Sequence, residues 1–218
     1  AAANGATHNN MYLGYGGAAA SYDGTYFAAA GVAPGTAQGS ITWFKRTGSS
    51  LSIMNGTTMG QTGGRSCAMT SDGKITVVGA DAVYNNNQHK IKIFKRANAN
   101  SYNTSPVATI STPTYYTNSY FGNSVSISDS DENGTIWLAV GSFRDNSHKS
   151  GDTYHGKAHL YYSTDGGDTW THDTAAANLL QGQVIYQSFG GQVEISKDAK
   201  YLFVSSPNVT YNSGTAQP

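Results

Sequence analysis

The stretch from Tyr120 to Gly141, YFGNSVSISDSDENGTIWLAVG, sets an order of features that the rest of the chain repeats. An aromatic–glycine pair opens it, then come an alternating run, an acidic Asn-Gly turn, a second apolar run and a closing small pair, Gly141-Ser142. Phe189-Gly190 begins the same order downstream, with Val193 and Ile195 alternating, a turn over Lys197 to Lys200, the run Tyr201 to Val204, and Ser205-Ser206-Pro207. Upstream, Gly63-Gly64 leads to Cys67 and Met69, the turn Ser71-Asp72-Gly73-Lys74, the run Ile75 to Val78, and Gly79-Ala80. The first and most degraded copy has Tyr15-Gly16, an alanine-rich run, Asp23-Gly24, Tyr26 to Ala29 and Ala30-Gly31. One such unit cannot bury its own apolar face. A chain built this way folds by stacking successive units on one another.

Each unit continues through a polar loop into a third run: Ser40 to Phe44, Lys90 to Phe94 and Lys157 to Tyr162. Two of these end in the same tripeptide, Phe44-Lys45-Arg46 and Phe94-Lys95-Arg96. The runs alternate with a period of two, as in Val125/Ile127, Ile91/Ile93 and Ile41/Trp43, and Asp-Gly or Asn-Gly pairs supply the positive φ of tight hairpin turns. Apart from a single turn around Ala175 to Leu180, helical periodicity is absent, and the class is all-β.

This order of elements resembles the FG-GAP repeat of integrin alpha-chain N-terminal domains and of many bacterial and viral surface proteins. Phe121-Gly122, the strand Ser124 to Ser128 and Ala139-Val140-Gly141-Ser142 carry the resemblance, standing where that family has its Phe-Gly and Gly-Ala-Pro motifs. Units one and two lack the Phe, and Pro207 alone stands at the family's proline. The resemblance implies a β-propeller of four-stranded blades, of which about three and a half are visible. Residues 1–14 are then a linker or the outer strand of a neighbouring blade. Residues 15–218 are a partial propeller with units at about 15–59, 60–119, 120–188 and 189–218, expected to belong to a longer chain.

Charged residues make up 12% of the chain against about 25% in an average soluble domain, and the formal net charge is zero. That balance lacks the basic footprint of a nucleic-acid binder. No run approaches the roughly 20 apolar residues of a membrane span, and no membrane insertion is expected. The neutral surface, rich in Asn, Thr and Tyr, points to an extracellular, cell-surface or virion-surface setting. The single cysteine, Cys67, lies on an alternating strand and reads as a small buried apolar residue.

Ser163-Thr164-Asp165-Gly166-Gly167-Asp168-Thr169-Trp170 matches the Asp-box found in sialidases and other propellers. Ser163, Asp165, Gly167, Thr169 and Trp170 are its specified positions, and its role is a structural staple in which the carboxylate collects backbone N–H groups. A sialidase-like enzyme would need an arginine cluster, a Tyr/Glu nucleophile pair and an acid. The chain offers Arg46, Arg65, Arg96 and Arg144 with Glu132 and Glu194, and Asp145, Asp152 and Asp173 stand at no diagnostic spacing. The stretch Asp129-Ser130-Asp131-Glu132-Asn133-Gly134 matches the first half of a calcium loop, with Asp129, Asp131 and Asn133 as oxygen donors. The later acidic ligand of such a loop would fall near Trp137, which cannot serve, so the alternatives are a single calcium site, the one cofactor the chain suggests, and an ordinary acidic turn. His148, His155 and His159 cluster in sequence but, with no Cys nearby, read as loop histidines rather than a zinc site.

Long polar loops follow the second strand of units two and three and fall on one edge of successive blades, where repeat proteins place binding residues. Asn85, Asn86, Asn87, Arg144, Asp145, His148 and Tyr154 are the binding-loop candidates, with Tyr102, Tyr115, Tyr116 and Tyr186 either joining them or covering seams between blades. The expectation is a non-enzymatic protein for adhesion or binding, recognising a glycan or protein partner. The rivals are a glycan-processing enzyme with catalytic residues elsewhere, and a structural subunit of a virion or filament closed by other copies or subunits.

Overall fold

The computed structural model describes residues 12–32, 39–59, 63–81, 89–113, 119–147, 154–184 and 186–207. The first sheet holds β1 (Tyr12–Ala20), β2 (Tyr26–Val32), β3 (Gly39–Thr47) and β4 (Ser50–Thr58), in that spatial order. The second holds β5 (Gly63–Met69), β6 (Ile75–Asp81) and β7 (Lys90–Asn98), with β8 (Ser101–Tyr102) and β9 (Ala108–Ser111) sharing the outer edge of β7. The third holds β10 (Val125–Ser130), β11 (Ile136–Ser142), β12 (Lys157–Ser163) and β13 (Thr171–His172). A short helix, α1 (Thr174–Leu179), capped by Asp173, leads to the pair β14 (Val193–Ile195) and β15 (Leu202–Val204). All pairings between these strands are antiparallel and, apart from β9 on β7, join consecutive strands, and neighbouring sheets meet through their first two strands. These are blades of a β-propeller.

Alternation decides which face of each blade meets which neighbour. In blade two, Ile75, Val77, Ile91 and Ile93 pack toward blade three, against Val125, Ile127, Leu138 and Val140. The intervening Val78 and Phe94 pack toward blade one, against Ala28, Ala30, Ile41 and Trp43. The third seam joins Ala139 and Ala158 of blade three to Val193 and Ile195 of blade four. The small pair closing each second strand has a direct cause. A Cβ on Gly79 would lie 1.9 Å from the Gly122 carbonyl oxygen, and one on Gly141 would lie 2.1 Å from that of Gly190. The glycine of the next blade's aromatic–glycine pair fills that space. Both Gly122 and Gly190 take positive φ to present their carbonyls.

The first hairpin turns share more than their Asp-Gly pairs. Ser21 Oγ donates to Asp23 and accepts from the Tyr26 N–H at 2.9 Å. Thr70 repeats this with Asp72 and Ile75, and Ser196 with Asp198 and Tyr201. In blade three Ser128 accepts from the Trp137 N–H at 2.8 Å. The residue after each hydroxyl ties its turn to the next blade. Tyr22 N–H donates to Ser71 O at 2.8 Å, Ser71 N–H to Asp129 Oδ1 at 2.6 Å, and Asp129 N–H to Lys197 O at 2.9 Å.

Two expectations about the strands change. Residues 12–14 are neither linker nor part of a neighbouring blade: Tyr12 and Leu13 pair with Val32 and Gly31 as the start of β1. A register shift between Leu13 and Ala18, with Gly14 and Gly17 at positive φ, keeps the strand on the same partner across the irregularity. The outer strands β4, β8, β9 and β13 carry no alternation that marks them in sequence. Cys67 is half-buried against the seam of blades one and two, and burial pushes its thiol up to about 12. Tyr102 belongs to the same seam, stacked on Trp43 at 4.8 Å with its hydroxyl donating to Gly73 O.

Candidate binding face

The antiparallel order puts the turns between first and second strands at one end of every blade. The ends of the second strands and the starts of the first and third strands lie at the other end. At this second end, around blade three, the chain gathers an aromatic cluster on a cation. The Arg144 guanidinium lies 4.7 Å from the ring centroids of Tyr120 and Tyr154 and 5.5 Å from that of Phe143. Tyr120 packs on Phe143 at 4.8 Å, and Tyr154 meets Tyr186 at 5.9 Å. Among the described residues no carboxylate pairs with Arg144, so its charge is balanced by ring faces.

Backbone strain concentrates at the same place. Tyr120, Tyr154 and Tyr186 have φ of 56°, 45° and 58°, and Ser188 beside them 52°. A left-handed conformation costs a bulky residue about 1–2 kcal/mol relative to the ordinary wells, and such residues persist where the surrounding structure over-determines them. Tyr186 stands 54% exposed, whereas Tyr120, Phe143, Arg144 and Tyr154 are half-buried.

Beneath the cluster lies a buried polar line. Asp145 is fully buried and His159 nearly so; Asp145 Oδ2 is 3.7 Å from His159 Nε2, and His159 Nδ1 is 3.4 Å from His172 Nε2. Burial alone would raise the Asp145 carboxyl, yet the adjacent His159 ring and the Ser147 N–H, which donates to Asp145 Oδ1 at 2.8 Å, hold it well below the usual carboxylate range. Burial first, then the neighbouring His159, lowers the His172 pKa and favours its neutral ring. His155 is buried, its N–H donating to the Asn146 side chain at 2.9 Å. The line anchors the β11–β12 loop, which fixes Arg144 in place.

Of the binding-loop candidates, Arg144, Asp145 and Tyr154 come together here, Asp145 as an internal anchor. Asn85, Asn86, Asn87 and His148, like Tyr115 and Tyr116, lie outside the described residues. Tyr120 and Phe143 were missed by the sequence reading. Their signal was position: each is an aromatic residue adjoining a repeat landmark, Phe121-Gly122 or Gly141-Ser142.

The Asp-box lies at the turn end, between β12 and β13. Asp165 accepts the Asp168 and Thr169 N–H groups at 3.0 Å each, and hydroxyl donors from Ser163 at 2.7 Å and Thr169 at 2.6 Å. These bonds, the Thr169 hydroxyl first, hold its carboxyl far below the usual range. Gly167 N–H donates to Ser163 Oγ, and Trp170 donates to Gly167 O while packing on the core of blades two and three. In the acidic turn of blade three, Asp129 Oδ1 takes the Ser71 N–H, and Asp131 Oδ1 takes the Asn133 and Thr135 N–H groups. Among the described residues, no three His, Cys, Asp or Glu side chains group to hold a metal ion. A cavity of about 520 Å³ opens nearby between blades two and three, lined by Thr70, Asp72, Lys95, Arg96 and Asp129. Asp72 and Asp129 are engaged in turn bonds there, and Lys95 pairs with Asp168 at 2.5 Å.

No family model matches the chain, and no curated protein matches it. Solved structures do. The Kuenenia stuttgartiensis hydrazine synthase aligns with a TM-score of 0.51 at 14% identity, over 87% of this chain and 49% of that one. A structure described among two prolyl endopeptidases aligns with a TM-score of 0.45 at 14% identity, over 89% of this chain and 25% of that one. The chain thus spans about half the length of the first and a quarter of the second. The likeness to the hydrazine synthase supports the propeller fold. It also corrects the expectation of a non-enzymatic protein, since that neighbour is an enzyme and the scaffold gives no ground for setting catalysis aside. No helix of the described residues is long and apolar enough to cross a membrane.

Proposed function

We propose that the chain is a recognition module of an extracellular, cell-surface or virion-surface protein, built from FG-GAP-type blades, and that it binds a glycan at the Arg144 face. The observation that carries the reading is the cluster itself: Tyr120, Tyr154 and Tyr186, each held at positive φ, around an arginine that has ring faces for partners. Flat rings stack on the apolar faces of sugars. A guanidinium supplies a bidentate donor for a carboxylate or sulfate on an acidic sugar. The FG-GAP assignment is supported by Phe121-Gly122 and Phe189-Gly190, whose glycines meet the closing residues of the preceding strands.

The test is a screen of neutral and acidic glycans followed by calorimetry on any hit, with Arg144→Ala and Tyr186→Ala beside the wild type. Arg144→Ala should weaken an acidic glycan about tenfold or more, in line with the loss of one charge-assisted contact. Tyr186→Ala should weaken neutral and acidic ligands alike. Product analysis on the same mixtures reads glycan cleavage directly. Hits whose affinity ignores both substitutions would place recognition elsewhere on the molecule.

A further inference from the structure

The outer edge of blade three is closed by a segment with few attachments. Thr171 of β13 is exposed and His172 half-buried, and α1 exposes Thr174, Ala175 and Leu179. Pairing with Tyr161 and Tyr162, and a hydrogen bond from the Asp173 N–H to Leu160 O at 2.9 Å, fasten the backbone of β13 to β12. The side chain that meets the buried polar line is His172. Its ring stacks on Tyr161 at 4.8 Å, and its Nε2 lies 3.4 Å from His159 Nδ1.

A contact between two imidazole nitrogens needs a hydrogen on one and none on the other, and an imidazolium carries hydrogens on both of its nitrogens. The pair therefore accommodates one extra proton, which Asp145, 3.7 Å from His159 Nε2, balances with its buried carboxylate. A second proton sets N–H against N–H and charge against charge. The remaining groups around the rings do not relieve this. Asp173 opposes the fall in the His172 pKa, but its carboxylate is engaged in capping α1, and Lys157 adds to that fall. Burial pushes the Tyr161 hydroxyl up, so it stays neutral. A histidine seated neutral in this way takes up its proton more readily once released, so acid below its ordinary value of 6.5 favours release.

We propose that the His159–His172 pair is an acid-sensitive latch: it holds one proton beside Asp145, and a second proton breaks the ring-to-ring contact and releases β13 and α1 from the edge of blade three. The same segment runs on through Leu180 and Gly182, bonded to Ala158 and Gly156, to Tyr186, so release also loosens the Tyr186 side of the Arg144 face. That consequence rests on the recognition reading. The latch itself does not, and it is measured without any ligand.

Hydrogen exchange on the 218-residue chain, corrected for the intrinsic pH dependence of exchange and compared at about pH 7.5 and about pH 5, tests this across the range where histidine titrates. Protection of residues 171–180 should fall about tenfold or more in acid, since two like charges at hydrogen-bond distance repel strongly even when partly screened. Protection of β3, in a blade whose described residues contain no histidine, should hold. His172→Gln keeps an acceptor near the place of Nε2 and cannot titrate, so its edge should be equally protected at both pH values. A wild-type edge that keeps its protection in acid overturns the proposal, and so does a His172→Gln edge that loses it as the wild type does. Should the variant fold poorly, the His172 ring followed by NMR in the wild type decides: the loss of protection must track its protonation, and protonation without that loss overturns the latch.

Discussion

The Tyr154 backbone, at φ 45°, is where glycine would be at ease and tyrosine is not. Replacing Tyr186, exposed and at φ 58°, with glycine should raise thermal stability by about 1 kcal/mol while lowering affinity at the Arg144 face. Thermal melts and calorimetry on the same preparation check both signs. A Tyr186→Gly chain that melts lower than wild type would remove strain from the account. Single residues also set the acid limit of the turns. Ser21 first, then Thr25, hold the exposed Asp23 carboxyl down to about 2 from its ordinary 3.8. A depressed carboxyl stabilises fully above its unfolded pKa and stops doing so as pH falls through the folded one. The Tm difference between wild type and Asp23→Asn should therefore be constant above about pH 5 and shrink as the pH approaches 2, as melts across that range would show.

At the scale of the element, the contact that defines a blade is glycine against carbonyl. Gly141→Ala puts a methyl 2.1 Å from Gly190 O, backbone that cannot swing aside, so a loss of about 1–3 kcal/mol or more is expected in denaturant melts. Gly134→Ala, with nothing near its added methyl, meets no clash of this kind and reports the cost of positive φ alone. Strands one to three were legible because burial on both faces leaves a pattern: Val125 and Ile127 against one neighbour, Ala139 against the other. The fourth strands were not, since β4 is exposed or half-buried throughout and needs no alternation. The binding face was half legible. Loop position picked out Arg144 and Tyr154, but the aromatic cage depends on Tyr120 and Tyr186 arriving from segments that open two different blades, and spacing along the chain carries no trace of that meeting.

Across the whole molecule, the turn ends are linked from blade one to blade four through Tyr22, Ser71, Asp129 and Lys197. Lys197 does the most, its ammonium donating to Met69 O at 2.7 Å and Ile127 O at 3.0 Å in two other blades. Burial lowers its pKa, while the Asp129 and Glu194 carboxylates act the other way and favour the charged form. Lys197→Met keeps the stem and leaves both acceptors without this donor; a loss of about 1–3 kcal/mol, with a less cooperative melt as blade four separates, is the expected outcome in calorimetry. Asp129→Ala should uncouple blades two and three by removing the acceptor of Ser71 N–H, and hydrogen exchange at Ser71 reads that loss locally. The glycine contacts have one more consequence, for how such a chain can change length in evolution. Because each closing glycine is shaped by the opening residues of the blade that follows, a cut at a sheet boundary leaves a hole on one side and a bare carbonyl on the other. Duplicating or deleting one full period restores the lock and key wherever the breakpoint falls. Growth by whole periods is thus the mutational step this architecture tolerates, and fractional insertions are the step it rejects.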